Sequence, residues 1–125
     1  MENATPTNVL RDKSYKFALR NISLYKYLIN EKREFVLSKQ VLRSGTSIGA
    51  NVVEANQAQS KADFVHKLSI SLKEAFETQY WVELLRDSEY ISTDAAISLL
   101  TDCSELQKIL TASIKTAKAS SGRSG

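Results

Sequence analysis

The sequence predicts an all-α protein, an antiparallel, up-down-up-down four-helix bundle. Three observations predict it. Helix breakers are scarce: the 125 residues hold one proline and four glycines, and two of those glycines fall in the last four residues. Apolar residues recur three and four apart along four long stretches. The joints between the stretches are short and polar, which sets consecutive helices antiparallel in a bundle. With 42% hydrophobic and 25% charged residues, the composition is that of an ordinary globular domain with one core.

The first helix is expected from Val9 or Asp12 to Asn30, after a disordered N-terminus over residues 1–8. Its main apolar stripe, Tyr15, Ala18, Leu19, Ile22, Tyr25 and Ile29, is read as the core face. A second seam, Phe17, Leu24 and Leu28, lies nearly opposite. Between the seams Lys13, Lys16 and Arg20 form a basic ridge with Tyr27 beside it. Glu31-Lys32-Arg33-Glu34 is a charged connection.

The second helix, about Phe35 to Gln57, carries glycines at 45 and 49. Each costs about 1 kcal/mol relative to alanine inside a helix. Gly45 and Gly49 share the arc of Val41, Leu42, Ile48, Val52, Val53 and Ala55, so they read as a buried face stripped for close approach of another helix. Ser44-Gly45-Thr46-Ser47 alone would pass as a loop, but the apolar spacing runs through it unbroken. Arg43, Ser47, Asn51 and Glu54 face the other way as a polar stripe, read as meeting a neighbouring subunit.

Ser60 followed by Asp63 resembles a capping box and opens a third helix, about Lys61 to Asp87. Phe64, Leu68, Leu72, Ala75 and Val82 face in, with Ser71 and Gln79 as polar members. Ile70, Trp81 and Leu84 form a second seam with Glu74 and Glu77 beside it. Ser92 or Thr93 caps a fourth helix, about Asp94 to Lys118, whose inward residues are Ala95, Leu99, Cys103, Leu106, Leu110, Ile114 and Ala117. Residues 119–125 read as a flexible tail, which leaves 9–118 as the bundle. A surface helix of a monomer needs one apolar stripe. The spare seams on the first and third helices, worth roughly 1.5–3 kcal/mol per large side chain buried, predict self-association.

Little in the chain points to catalysis. His66 and Cys103 are the single histidine and cysteine, so zinc-ligand spacings and an internal disulfide are absent. Cys103 falls in an apolar stripe and reads as a small core residue. Gly45-Thr46-Ser47-Ile48-Gly49 lacks the following Lys-Ser/Thr of a phosphate loop. Glu54, Glu74 and Glu77 lack the Glu-x-x-His pairs of bundle metal sites. Arg43 is expected to pair with Glu74 or Glu77, between helices or between subunits. The reading is non-enzymatic, with no cofactor. Lys13, Lys16, Arg20, Lys39 and Arg43 are the candidate phosphate contacts. Net charge is +3, but residues 1–60 carry nine Lys/Arg against five Asp/Glu, and residues 61–118 seven against nine. The apolar runs fall short of the ~18 residues of a membrane span, so a cytoplasmic protein is expected.

The run Glu34 to Ala55, EFVLSKQVLRSGTSIGANVVEA, resembles the signature of bacterial four-helix-bundle proteins encoded by intervening sequences in large-subunit ribosomal RNA genes. Asp63-Phe64-Val65 and Leu72 to Trp81, LKEAFETQYW, continue it, and the similarity spans about residues 10–118. Many relatives carry proline at the position of Gly49. The resemblance implies a bundle assembled into a ring, typically a homopentamer, with a basic surface and no enzymatic activity. The family is related to the accessory variability determinant of diversity-generating retroelements, which assists a reverse transcriptase and binds nucleic acid. The functional expectation is therefore a ring-forming bundle that binds structured RNA or DNA. The alternative is an accessory or scaffold subunit for a protein such as a polymerase.

Overall fold

The computed structural model describes residues 6–124, with side chains over 8–120. Its four helices are α1 (Pro6–Asn30), α2 (Leu37–Asn56), α3 (Lys61–Asp87) and α4 (Thr93–Ser124). Each packs on two neighbours, in the order α1–α2–α3–α4 and back to α1, with the α1–α4 seam the thinnest. The expected start at Val9 or Asp12 is late by three or six residues, because Pro6 suits a first helical turn. Of the N-terminal segment read as disordered, residues 1–5 lie outside the described residues. α4 runs past Lys118 to Ser124, so the segment read as a tail continues the helix; Gly125 lies outside the described residues.

Two helix starts follow the sequence signals. The Ser60 hydroxyl accepts from the Asp63 N–H at 3.0 Å, and Ser92 does the same for Ala95 at 3.1 Å. The third does not. Val36 precedes α2 without a side-chain cap. The buried Glu34 carboxylate does the work, accepting from the N–H groups of Val36 (3.2 Å), Leu37 (3.0 Å) and Ser38 (2.7 Å).

The buried residues follow a heptad on every helix. In α1 they are Leu10, Ser14, Phe17, Asn21, Leu24 and Leu28. This corrects the facial assignment of α1. Phe17, Leu24 and Leu28 are in the core and cannot serve as an outward subunit seam. Tyr15, at 65% exposure, and Leu19, at 49%, belong to the stripe read as inward and are on the surface. The true stripe was disguised because two of its six members, Ser14 and Asn21, are polar. They are polar and small because of what they meet on α2. The Asn21 carboxamide fills the point where a Gly45 β-carbon would sit, with Nδ2 at 2.7 Å from it. At Gly49 the same point is 3.2 Å from the Ser14 hydroxyl and 3.4 Å from its carbonyl. The glycines are thus helical and allow close approach, as read. Asn21 donates to the Phe17 carbonyl at 2.9 Å, while its Oδ1 has no hydrogen-bonding partner.

On α3 the inward stripe is as expected, with Leu68, Ser71, Ala75 and Val82 buried, and Thr78 and Leu85 added. Thr78 donates to the Ser44 hydroxyl at 2.9 Å or to the Glu74 carbonyl at 2.8 Å, and Ser71 donates to the Ile48 carbonyl at 2.8 Å. In α4, Ala96 is buried and Ala95 exposed, a shift of one position; the remaining inward residues are as read.

Gly45→Ala is expected to lower the free energy of unfolding by about 1–3 kcal/mol, the cost of overpacking, despite alanine's better helix propensity. Asn21→Ala in the same chain should recover part of that loss, which a double-mutant cycle by urea denaturation measures. Gly49→Ala should stay within about 1 kcal/mol, since the Ser14 hydroxyl can rotate away.

Candidate functional site

Helical spacing puts Arg43, Ser47, Asn51 and Glu54 on one side of α2, and the fold turns that side toward α3 of the same chain. Arg43 Nη1 donates to Glu74 at 3.2 Å, and its Nη2 makes a short ion pair with Glu77. Trp81 Nε1 donates to the same Glu77 carboxylate at 3.0 Å. Lys67 meets Glu54 at 2.8 Å. Ser47 and Asn51 bond back to their own helix, to the carbonyls of Arg43 (2.7 Å) and Ser47 (2.9 Å). Two members of the stripe, Arg43 and Glu54, thus clamp α2 to α3 within the chain. The reason is order: α3 follows α2 through a four-residue joint and lies against that flank. The sequence reading paired Arg43 with one carboxylate, between helices or subunits; it meets both Glu74 and Glu77, within the chain.

The basic ridge of α1 is also spoken for. Arg20 donates to Asp102 at 2.8 Å and to the Ser98 carbonyl at 3.2 Å, closing the α1–α4 seam. Lys13 meets Glu105 at 3.3 Å, and Lys16 meets Asp12 at 3.2 Å. Of the five candidate phosphate contacts, only Lys39 has no ion pair among the described residues. Exposed pairs of this kind are worth little in stability. They do offset the positive charge that a phosphate would read.

No three of the described His, Cys, Asp and Glu residues come together as a metal site would require. His66 is exposed on α3. Cys103 is buried, donates to the Ala75 carbonyl at 3.1 Å, and its thiol is pushed up to about 12 by burial, so it is no thiolate at neutral pH. No described helix is long and apolar enough to cross a membrane.

Two apolar surfaces stand out among those the described residues present. One is a groove of about 700 Å³ between α1 and α2, lined by Asn8, Arg11, Asp12, Tyr15 and Ala18 on one wall and Thr46, Gly49, Ala50 and Val53 on the other. Leu19 is exposed elsewhere on α1. The other is an aromatic ridge on α3, Phe76 and Tyr80, each 54% exposed and one turn apart. Ile70, Trp81 and Leu84, which had been read as the spare seam of α3, are half-buried, with Trp81 packed against the core. Sequence reasoning missed Phe76 and Tyr80 as surface residues. An aromatic pair four apart outside the core stripe was the signal available.

A sequence model of the 23S rRNA-intervening sequence protein family matches residues 7–112, most of the bundle. The chain belongs to that family. Among solved structures it is similar to a Bacteroides thetaiotaomicron protein of unknown function from the S23 ribosomal protein family. The two are 57% identical, the match covers 89% of this chain and 99% of the other, and the TM-score is 0.88. No functionally curated protein matches it. Membership in the 23S rRNA-intervening sequence protein family thus fixes the fold of this chain and leaves its activity open.

The Arg43 guanidinium, and after it the Trp81 indole, hold the Glu77 carboxyl below its ordinary value. A carboxylate lowered by folding stabilises above its unfolded pKa and loses that contribution as pH falls through the folded value. Between about pH 6 and about pH 3, wild type should lose more unfolding free energy than Glu77→Gln, by under about 1 kcal/mol because the pair is partly exposed. Urea titrations at both pH values measure this; equal losses would show that Glu77 does not act in this way.

Proposed function

We propose that the protein is a non-enzymatic scaffold, a helical bundle that works by associating with copies of itself. The observation that carries this reading is the uncovered α1–α2 groove, with Tyr15 on one wall and Val53 on the other, each roughly half exposed or more. Covering them is worth roughly 1 kcal/mol apiece. A micromolar complex needs about 8 kcal/mol. The groove therefore has to meet a comparably apolar surface, or the contact has to be repeated around a ring. The homopentamer implied by the resemblance would repeat it.

A second reading, binding of nucleic acid, is favoured by a different observation. Arg11, Lys26 and Lys39 make no ion pair among the described residues, and helical spacing puts all three on the α1–α2 side, in the half of the chain with nine Lys/Arg against five Asp/Glu. These cations, not the paired Lys13, Lys16, Arg20 and Arg43, would carry phosphate contacts. A protein partner such as a polymerase would compete for the same side.

Size-exclusion chromatography with light scattering at micromolar concentration should give a mass well above one chain. Tyr15→Glu should lower that mass while leaving stability within about 0.5 kcal/mol, as for other surface changes. A monomeric wild type would overturn the reading. For the second reading, binding to structured RNA should weaken steeply with salt and be lost in the triple variant Arg11→Glu, Lys26→Glu, Lys39→Glu; no binding at low salt would remove it.

A further inference from the structure

We infer that the turn between α1 and α2 is a contact site for an anionic lipid surface. Phe35 and Val36 enter the headgroup layer, and Lys32, Arg33 and Lys39 meet the lipid phosphates and carboxylates. The contact is peripheral, with no part of it crossing the bilayer, and it does not depend on self-association.

Three observations carry it. The first is exposure. Phe35 is 52% exposed and Val36 68%, side by side at the end of the bundle. Neither lines the α1–α2 groove, whose residues on α2 begin at Thr46. Large apolar side chains that protrude from a turn offer a peptide no cleft, whereas a bilayer interface takes them without one.

The second is that the exposure is built in. The Glu34 N–H donates to the Leu28 carbonyl at 3.0 Å. Its carboxylate accepts from the N–H groups of Val36, Leu37 and Ser38. The chain is thereby tied on both sides of Phe35, and the next apolar residue, Leu37, packs on the core instead. Arg33, with φ 54°, makes the reversal that leads into this segment. An apolar pair presented by a turn fixed in this way loses little freedom on binding.

The third is charge. Lys32 and Arg33 precede the pair, and Lys39 lies three residues after Val36, one turn along α2. None of the three makes an ion pair among the described residues. Glu34 is buried and committed to backbone N–H groups, which leaves Glu31 as the exposed carboxylate of the turn. At the same end of the bundle the α3–α4 side holds Arg86 paired with Asp87, together with Glu89 and Asp94. The end is thus divided, and its basic edge is the one that carries the exposed apolar pair. That combination is what an anionic lipid surface recognises. A strand of nucleic acid fits the turn less well, since Val36 has no ring to stack and Lys32 already stands 6.0 Å over the Tyr27 ring.

Flotation of the full chain with vesicles tests the inference. Wild type should float with phosphatidylcholine vesicles that contain phosphatidylserine, fail to float with phosphatidylcholine alone, and bind less as salt rises. The double variant Phe35→Ser, Val36→Ser should bind the anionic vesicles at least about tenfold more weakly. Lys32→Glu, Arg33→Glu should not bind them. Both variants keep Glu34 and should keep wild-type helical circular dichroism; Phe35→Gln and Lys39→Glu replace either one that does not. Lys115→Glu, Lys118→Glu makes the same charge change at the opposite end of the bundle and should float as wild type does. The inference is overturned if wild type does not float with the anionic vesicles, if a folded turn variant floats undiminished, or if the Lys115 and Lys118 variant loses as much. It is also overturned if the turn variants abolish binding to polyuridylate RNA and phosphatidylserine vesicles do not compete for that binding.

Discussion

Asn21 packs its carboxamide where a β-carbon on Gly45 would be, and Ser14 packs one heptad earlier against Gly49. Much of the molecule depends on that contact. It brings the backbones of α1 and α2 close and fixes the rotation of α1 about its own axis. Phe17, Leu24 and Leu28 turn inward as a result, and Tyr15 and Leu19 are left exposed. The groove is a consequence of the same choice: small residues along one arc of α2 lower its floor, and the aromatic and aliphatic residues displaced from the α1 core face make its wall. An amide buried with one oxygen unpartnered is costly, by about 1–3 kcal/mol. Its retention at this position is consistent with a residue that specifies packing.

The charged residues are arranged by the same logic of neighbours. Arg43 bridges to Glu74 and Glu77 across the α2–α3 seam, and Arg20 bridges to Asp102 across the α1–α4 seam. The first of these does more than join two helices, because Glu77 also receives the Trp81 indole and Trp81 supports Tyr80. A line of contacts thus runs from Arg43 at the α2–α3 seam to an exposed aromatic. The side chains that looked available for phosphate are mostly engaged in holding seams, and the surfaces left uncovered are apolar.

Much of the fold was legible beforehand. The four helices, the glycine-bearing α2, the caps at Ser60 and at Ser92, and the inward stripes of α3 and α4 are local matters of spacing and side-chain chemistry. The Glu34 cap was not legible, because a carboxylate two residues outside a helix reads as ordinary loop charge until the backbone folds its N–H groups around it. The ridge of Phe76 and Tyr80 was hidden among other apolar residues of α3, since exposure there depends on which flanks α2 and α4 cover.

By itself the sequence determined where the helices lie and that α1 has two apolar faces. It also determined that α2 presents glycines to something close by. Only the tertiary structure decided which face of α1 is buried. Periodicity along one helix records how often apolar residues recur and is silent about what the facing helix offers. Here that helix offers two glycines, and the face that fits them is the one whose polar members, Ser14 and Asn21, made it look like the lesser stripe.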